Sequence, residues 1–246
     1  MTILDSETGD ELSWPVEATR RMNRMYRRQR HIYDGTRRYY LLGRDQLIAG
    51  LQSAPGATVL EIGCGTGRNL VAAARTFPNA RFFGIDVSTE MLTSAIGAIG
   101  RRGLQGRIRL AHGDATVFDP QAIFGLPAFN HIMISYSLSM IPNWQSVLAR
   151  AAASLMPGGR LHVVDFGSQE RLPRVARSLL RYWLALFDVT PRDRLEAALR
   201  RIADAHGATL RFERPFRGYA QSGVLTMPAE PAARQPSPFS RHDELN

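Results

Sequence analysis

Between residues 58 and 226 short apolar runs alternate with stretches of helical period, the pattern of a largely parallel sheet covered on both faces. The runs place strands at Thr58 to Ile62, Arg81 to Ile85, Ile108 to His112, His131 to Ser135 and Arg160 to Asp165, with a closing pair at Thr209 to Arg214 and Gly218 to Thr226. The amphipathic segments between them predict helices near 68–76, 89–101, 143–155 and 192–206. Only a few residues around Pro215 join the closing pair, too few for a parallel crossover, so these two strands are antiparallel to each other. The expectation is an α/β fold: a seven-stranded sheet, last strand antiparallel, helices on both faces.

The flanks read differently. Residues 1–15 read as disordered, and residues 228–246, with Pro228, Pro231, Pro236 and Pro238 among Ala, Glu, Arg and Ser, as a flexible tail. A single domain is expected over 16–227, with an N-terminal helical extension at 16–52 and a helical insertion at 167–190. Both additions fall near the carboxyl edge of the sheet, where ligands of such folds bind.

Composition narrows the class. A chain of 246 residues that is 44% hydrophobic supports one sizeable core. Cys64 is the single cysteine, which excludes an internal disulfide framework and a multi-cysteine zinc site; no metal site is expected. No apolar stretch approaches the roughly 18 residues of a spanning helix, and Met1 to Glu11 is acidic where a secretory signal is basic then apolar, so a cytoplasmic protein is expected. The sequence His242-Asp243-Glu244-Leu245 is followed by Asn246, so it is not read as a retention signal.

Net charge is +9, and with no lysine present all 31 basic residues are arginines. Nine of them, Arg20, Arg21, Arg24, Arg27, Arg28, Arg30, Arg37, Arg38 and Arg44, crowd between positions 20 and 44 against Asp34 alone. Such a block predicts an acidic partner, a membrane surface or a nucleic acid, or else it has no partner at all. A codon preference for arginine accounts for the residue type but not for the clustering.

The chemistry begins at Glu61-Ile62-Gly63-Cys64-Gly65-Thr66-Gly67, where a strand runs into a glycine loop and a helix opens behind it. A glycine loop alone is weak evidence, because nucleotide-binding dehydrogenases carry one too. Here an acidic residue opens the motif, and the third glycine follows the second by two positions instead of three. Asp86 lies 19 residues after Gly67 at a strand end, where a carboxylate can accept both hydroxyls of a ribose. Asp114, after the third strand, sits where it can bond an adenine amino group. Each aspartate could equally cap the helix that follows. Taken together with the antiparallel closing pair, which hydride-transferring Rossmann domains lack, the three features point to a Rossmann-like methyltransferase sheet holding S-adenosylmethionine. The expected cofactor set is Glu61, Gly63, Cys64, Gly65, Gly67, Asp86, Val87, Met91, Asp114, Ala115 and Ser135, with Cys64 read as a small buried packing residue and not a nucleophile.

The run from Tyr26 to Asp45 (Tyr-Arg-Arg-Gln-Arg-His-Ile-Tyr-Asp-Gly-Thr-Arg-Arg-Tyr-Tyr-Leu-Leu-Gly-Arg-Asp), Ser135-Tyr136-Ser137-Leu138-Ser139-Met140-Ile141-Pro142-Asn143-Trp144 and Val164-Asp165-Phe166-Gly167 together resemble the diacylglyceryl-homoserine N-methyltransferases. The resemblance runs from about Arg20 to Thr226 and implies trimethylation of a homoserine amine to a betaine lipid. It also implies a lipid substrate at an anionic membrane surface, peripheral membrane association and a partner enzyme that forms diacylglyceryl-homoserine. Tyr136, Tyr33 and His31 become candidate catalytic residues, the tyrosines as aligners of the amine and His31 as acceptor of its proton. Packing is the competing role for each. Arg37, Arg38, Tyr40 and Arg44 are candidates for holding the acceptor, an arginine pairing with its carboxylate. The remaining arginines can face anionic lipid at roughly 1 kcal/mol each. The apolar residues at 179–187 either shelter glyceryl or acyl groups or form an amphipathic helix packed on the core. Two other readings stay open: a methyltransferase acting on another lipid or small amine, or on RNA, and a silent cofactor-binding scaffold.

Overall fold

The computed structural model describes residues 4–5 and 41–229. The elements are β1 (Leu4–Asp5), α1 (Arg44–Gly50), β2 (Thr58–Ile62), α2 (Arg68–Thr76), β3 (Arg81–Asp86), α3 (Thr89–Gly100), β4 (Ile108–His112), α4 (Pro120–Phe124), β5 (Phe129–Ser135), α5 (Trp144–Ala153), β6 (Leu155–Phe166), α6 (Arg174–Ala185), α7 (Leu195–His206), β7 (Thr209–Glu213) and β8 (Ala220–Thr226). Short 3-10 turns at Leu138–Met140 and Phe216–Gly218 complete the chain.

The strands lie in the order β1-β4-β3-β2-β5-β6-β8-β7. β1 to β6 pair in parallel, and β8 is antiparallel to both β6 and β7. The expected antiparallel closing pair is therefore present, with the last strand slotted between β6 and β7. The sheet has eight strands instead of seven. The additional one is the two-residue β1, from the segment read as disordered; it pairs with Ala111 and His112 on β4, whose outer edge otherwise leaves backbone groups open to any extended segment.

Because the sheet is covered on both faces, alternate strand residues enter two cores. Leu60, Ile62, Ile132, Ile134, Leu161 and Val163 pack with α5 and α7. Val59, Phe82, Met133 and Val164 pack with α1, α2, α3 and α6. This two-sided burial is why β2 reads as the unbroken run Thr-Val-Leu-Glu-Ile, buried at every position.

Helix α4 was not expected, yet its local signal is complete. Asp119 Oδ1 accepts from Gln121 N at 2.8 Å and Ala122 N at 3.4 Å, Pro120 opens the helix, and Gly125 closes it in the left-handed conformation. Strand β6 begins at Leu155, earlier than expected, and bends through Pro157-Gly158-Gly159, so the helix before it stops at Ala153. Of the N-terminal helical extension, α1 lies among the described residues; the segment 16–40 falls outside them. The insertion at 167–190 contains α6. No described helix is long and apolar enough to cross a membrane.

Candidate functional site

Strand order reverses at β2, which has β3 on one side and β5 on the other, and the crevice beyond the carboxyl ends of such strands is where ligands of open α/β sheets bind. A cavity of about 340 Å³ opens there.

Its floor is the loop from Gly63 to Gly67. Gly63 N and Cys64 N both donate to Ile85 O, at 2.9 and 3.0 Å, folding the loop over the end of β3. Gly63 has φ +71°, and a Cβ there would lie 2.6 Å from Ser137 Cβ, so this position requires glycine on two counts. The motif's third glycine has a different task. Gly67 does not line the cavity: at φ +72° it ends the loop as the residue before α2, and its bare Cα lets Ala95 of α3 approach to 3.0 Å of where a Cβ would stand. Its expected place among the cofactor residues is corrected to a packing role.

The other predicted cofactor residues, from Glu61 to Ser135, all line this one cavity. Asp86 Oδ2 accepts from Gly65 N at 2.7 Å and Oδ1 from Ser88 N at 2.9 Å, so one carboxylate joins the glycine loop to the start of α3. The cap of α3 itself is Ser88, whose hydroxyl accepts from Met91 N at 3.3 Å. The capping alternative for Asp86 is therefore replaced by a bracing one. Asp114 Oδ1 accepts from Thr116 N at 2.6 Å, a local turn that fixes its direction at the cavity wall. Glu61 is buried and accepts from Asn69 Nδ2 at 2.6 Å. Ser135 Oγ is buried at the wall with no partner among the described residues. A glycine cradle that any Cβ would fill, two carboxylates braced by backbone N–H groups and an orphaned hydroxyl fit a nucleoside-bearing ligand.

Cys64 conforms to the packing reading. Burial, then the neighbouring Asp86 and Glu61, push its thiol well above the ordinary value, so no thiolate forms there.

The opposite wall comes from elements distant in sequence: Leu41, Arg44, Tyr136 and the run Met140-Ile141-Pro142-Asn143. Tyr136 is only 2% exposed. Its hydroxyl donates to Leu42 O at 2.5 Å, and its ring meets Phe166 edge-on at 4.7 Å between centroids. Burial, then Asp165 and Tyr219, raise its pKa far above the usual phenol value. This bond commits the hydroxyl's proton and ties Leu42 onto the sheet, while the ring remains among the residues that line the cavity. Arg44 bonds the exposed Asp45 at 2.6 Å. Tyr33, His31, Arg37, Arg38 and Tyr40 lie outside the described residues.

Sequence reading missed what holds this wall. Arg192 donates from Nε to Leu138 O at 3.0 Å and from Nη2 to Ser139 O at 3.3 Å and Ile141 O at 2.8 Å. Its charge faces Asp165, fully buried at the end of β6, whose carboxyl accepts from Ser139 N at 3.0 Å and Phe166 N at 2.7 Å. Burial nevertheless dominates and pushes Asp165 up to about 6. Gln221 Nε2 donates to Phe166 O and to Arg192 O, locking the arginine's backbone to β8. Nothing in the local sequence around Arg192 announces a clamp, since its partners are carbonyls some 50 residues away in the chain.

Residues 60–161 match the model of a family described as a methyltransferase domain. A nocamycin O-methyltransferase of Saccharothrix syringae is 32% identical over 132 residues, 53% of this chain and 45% of that relative. The chain thus spans under half the length of that relative. The solved structure of the S-adenosylmethionine-dependent methyltransferase SibL superposes with a TM-score of 0.63 at 22% identity, over 80% of this chain and 58% of that one. Phosphoethanolamine N-methyltransferase 2 of Haemonchus contortus, solved with S-adenosyl-L-methionine, superposes with a TM-score of 0.60 at 15% identity, over 76% of this chain and 52% of that one. The fold is that of the S-adenosylmethionine-dependent methyltransferases on which the chain superposes, and residues 60–161 are similar to a methyltransferase domain.

Proposed function

We propose that this chain methylates the amine of diacylglyceryl-homoserine, three times, to give the betaine lipid diacylglyceryl-trimethylhomoserine. It works from the cytoplasmic side on a lipid at an anionic membrane surface, supplied by an enzyme that forms diacylglyceryl-homoserine. The observation that carries this reading is that Arg44 lines the same cavity as Asp86 and Asp114: a guanidinium beside carboxylates that suit the cofactor. An amino-acid head group needs such a partner for its carboxylate, and the exposed pair with Asp45 is weak enough to be exchanged for a bidentate one. The phosphoethanolamine N-methyltransferase of the same fold is consistent with an amine as acceptor.

S-adenosylmethionine supplies an electrophilic methyl group on a sulfonium. The protein's own residues hold and align. Asp86 accepts the ribose hydroxyls, Asp114 the adenine amino group, and Ser135 Oγ supplies the remaining polar contact. Arg44, with Arg37 and Arg38, holds the acceptor carboxylate, and Tyr40 and Tyr33 flank the amine. His31 removes the proton that would block attack. The ring face of Tyr136 stabilises the growing quaternary charge, and Met140, Ile141 and Pro142 exclude water from the line of attack.

Purified protein incubated with methyl-labelled S-adenosylmethionine is expected to pass label to diacylglyceryl-homoserine in vesicles and not to total RNA. Label entering RNA alone would overturn the lipid reading.

A further inference from the structure

Helix α6 has two apolar faces, and only one is used. Leu184 is buried, and Leu180, Trp183 and Phe187 pack against the core that contains Tyr136 and Phe166. On the opposite side Val175, Leu179, Tyr182 and Leu186 recur at helical spacing and are between 58% and 73% exposed. A stripe of four large apolar side chains, about 18 Å along the helix axis, is more than scattered surface hydrophobicity. Arginine surrounds it: Arg171, Arg174, Arg177 and Arg181 occur between positions 171 and 187, and no acidic residue does. Arg181 reaches back to Gln169 and Asp193, while Arg171 and Arg174 are exposed.

We infer that the outer face of α6 is a docking surface for an anionic lipid bilayer, lying in the interface with its apolar stripe in the acyl boundary and its arginines among the headgroups. This rests on the reading that the protein works at a lipid surface, and it names the element that touches it. Charge selects the occupant. A second copy of this chain docked face to face would set these arginines against one another, whereas an anionic headgroup layer neutralises them. Tyr182 in the stripe combines an apolar ring with a polar tip, as interfacial residues do.

The position gives docking a consequence. Beyond α6 the chain returns to the acceptor wall, where Thr190 N donates to Ser139 O at 2.9 Å and Arg192 clamps Leu138, Ser139 and Ile141. A bilayer beneath α6 therefore lies beside the wall at which a lipid head group enters.

The full chain is expected to float with phosphatidylcholine vesicles containing phosphatidylglycerol, weakly with phosphatidylcholine alone, and less as salt rises. The combined variant Leu179→Ser, Tyr182→Ser, Leu186→Ser should reduce the bound fraction roughly tenfold or more. Charge reversal at Arg171, Arg174 and Arg177 should do the same for anionic vesicles. All three serines replace exposed residues, and calorimetric affinity for S-adenosylmethionine, equal to that of the unaltered chain, checks that the fold is kept. Flotation of the serine variant at the level of the unaltered chain overturns the inference, as does failure of the unaltered chain to float. A concentration-dependent dimer that the serine variant abolishes, without vesicle binding, overturns it in favour of self-association. Flotation lost through α6 but no label entering diacylglyceryl-homoserine upholds the docking surface and overturns the proposed substrate.

Discussion

The two walls of the cavity are built by opposite means. The cofactor wall is local: Asp86 accepts from the backbone N–H groups of Gly65 and Ser88, Glu61 from the Asn69 side chain and Ser88 Oγ from Met91 N, and Gly63 leaves no room for alternatives. The acceptor wall is assembled at long range, with Tyr136 pinned to Leu42 and Arg192 gripping carbonyls of the 138–141 turn. A local wall tolerates a change of acceptor without losing its own shape; a clamped wall can be altered without disturbing the cofactor. This division is consistent with a methyltransferase domain that recurs in relatives acting on unlike substrates.

The largest effect is expected at the local wall. Asp86→Ala removes the carboxylate that bonds both Gly65 N and Ser88 N together with the proposed ribose contact. Hydrogen bonds to a charged group contribute about 1.5–3 kcal/mol each, so calorimetry should find affinity for S-adenosylmethionine reduced by roughly 100-fold or more. Unchanged affinity would mean that the ribose lies elsewhere and that the two walls have been assigned the wrong ligands.

The strands beneath the acceptor wall carry the next effect. His131 on β5 and His162 on β6 are buried with ring centroids 5.6 Å apart, and His131 Nδ1 and His162 Nε2 have no partner among the described residues. Burial comes first, then Arg160 for His131 and His131 with Arg160 for His162, lowering them to about 4 and about 3. The unfolded chain takes up these protons from about pH 6.5 downward while the folded chain refuses them, so stability falls as pH drops from there toward the folded values. Asp165 works in the other direction: raised to about 6, it adds stability as pH falls from there toward the ordinary carboxyl range. Two downward shifts oppose one upward shift, so acidification brings a net loss of stability. Thermal melts between pH 7 and pH 4 should show a falling midpoint, and His162→Leu should flatten that slope; a slope unchanged in the variant would place the acid sensitivity elsewhere.

Arg192→Ala tests the clamp. Acceptor turnover should fall about tenfold, equivalent to roughly 1.4 kcal/mol, while cofactor affinity stays within about twofold. A parallel loss of cofactor affinity would show that the walls are not separable.

These contrasts also explain what the sequence could disclose. That the glycine loop, Asp86 and Asp114 share one cavity was legible because this part of it is made of short-range geometry: a strand end, a turn and a helix start occupy fewer than ten residues, and each leaves a compositional mark. Strand limits were nearly right for β2 and β4, which are buried along most of their length. Gly67 was misread because spacing marks a positive φ without revealing whether the bare Cα faces a ligand or, as here, Ala95. The clamp of Arg192, the engagement of Tyr136 with Leu42 and the outward stripe of α6 depend on which segments the fold brings together. An apolar helix reads alike whether one face or both are covered.

The smallest effect discriminates most sharply between the structural and chemical readings of the acceptor wall. Tyr136→Phe keeps the ring against Phe166 and removes only the hydroxyl that donates to Leu42 O. Loss of one partly buried neutral hydrogen bond costs about 1 kcal/mol, seen as a modest drop in the melting midpoint. Methyl transfer should change less than about threefold, as expected where the ring and not the hydroxyl meets the acceptor. A large fall in turnover with the melting midpoint unmoved would return the Tyr136 hydroxyl to the chemistry, and would require the bond to Leu42 to open before the acceptor binds.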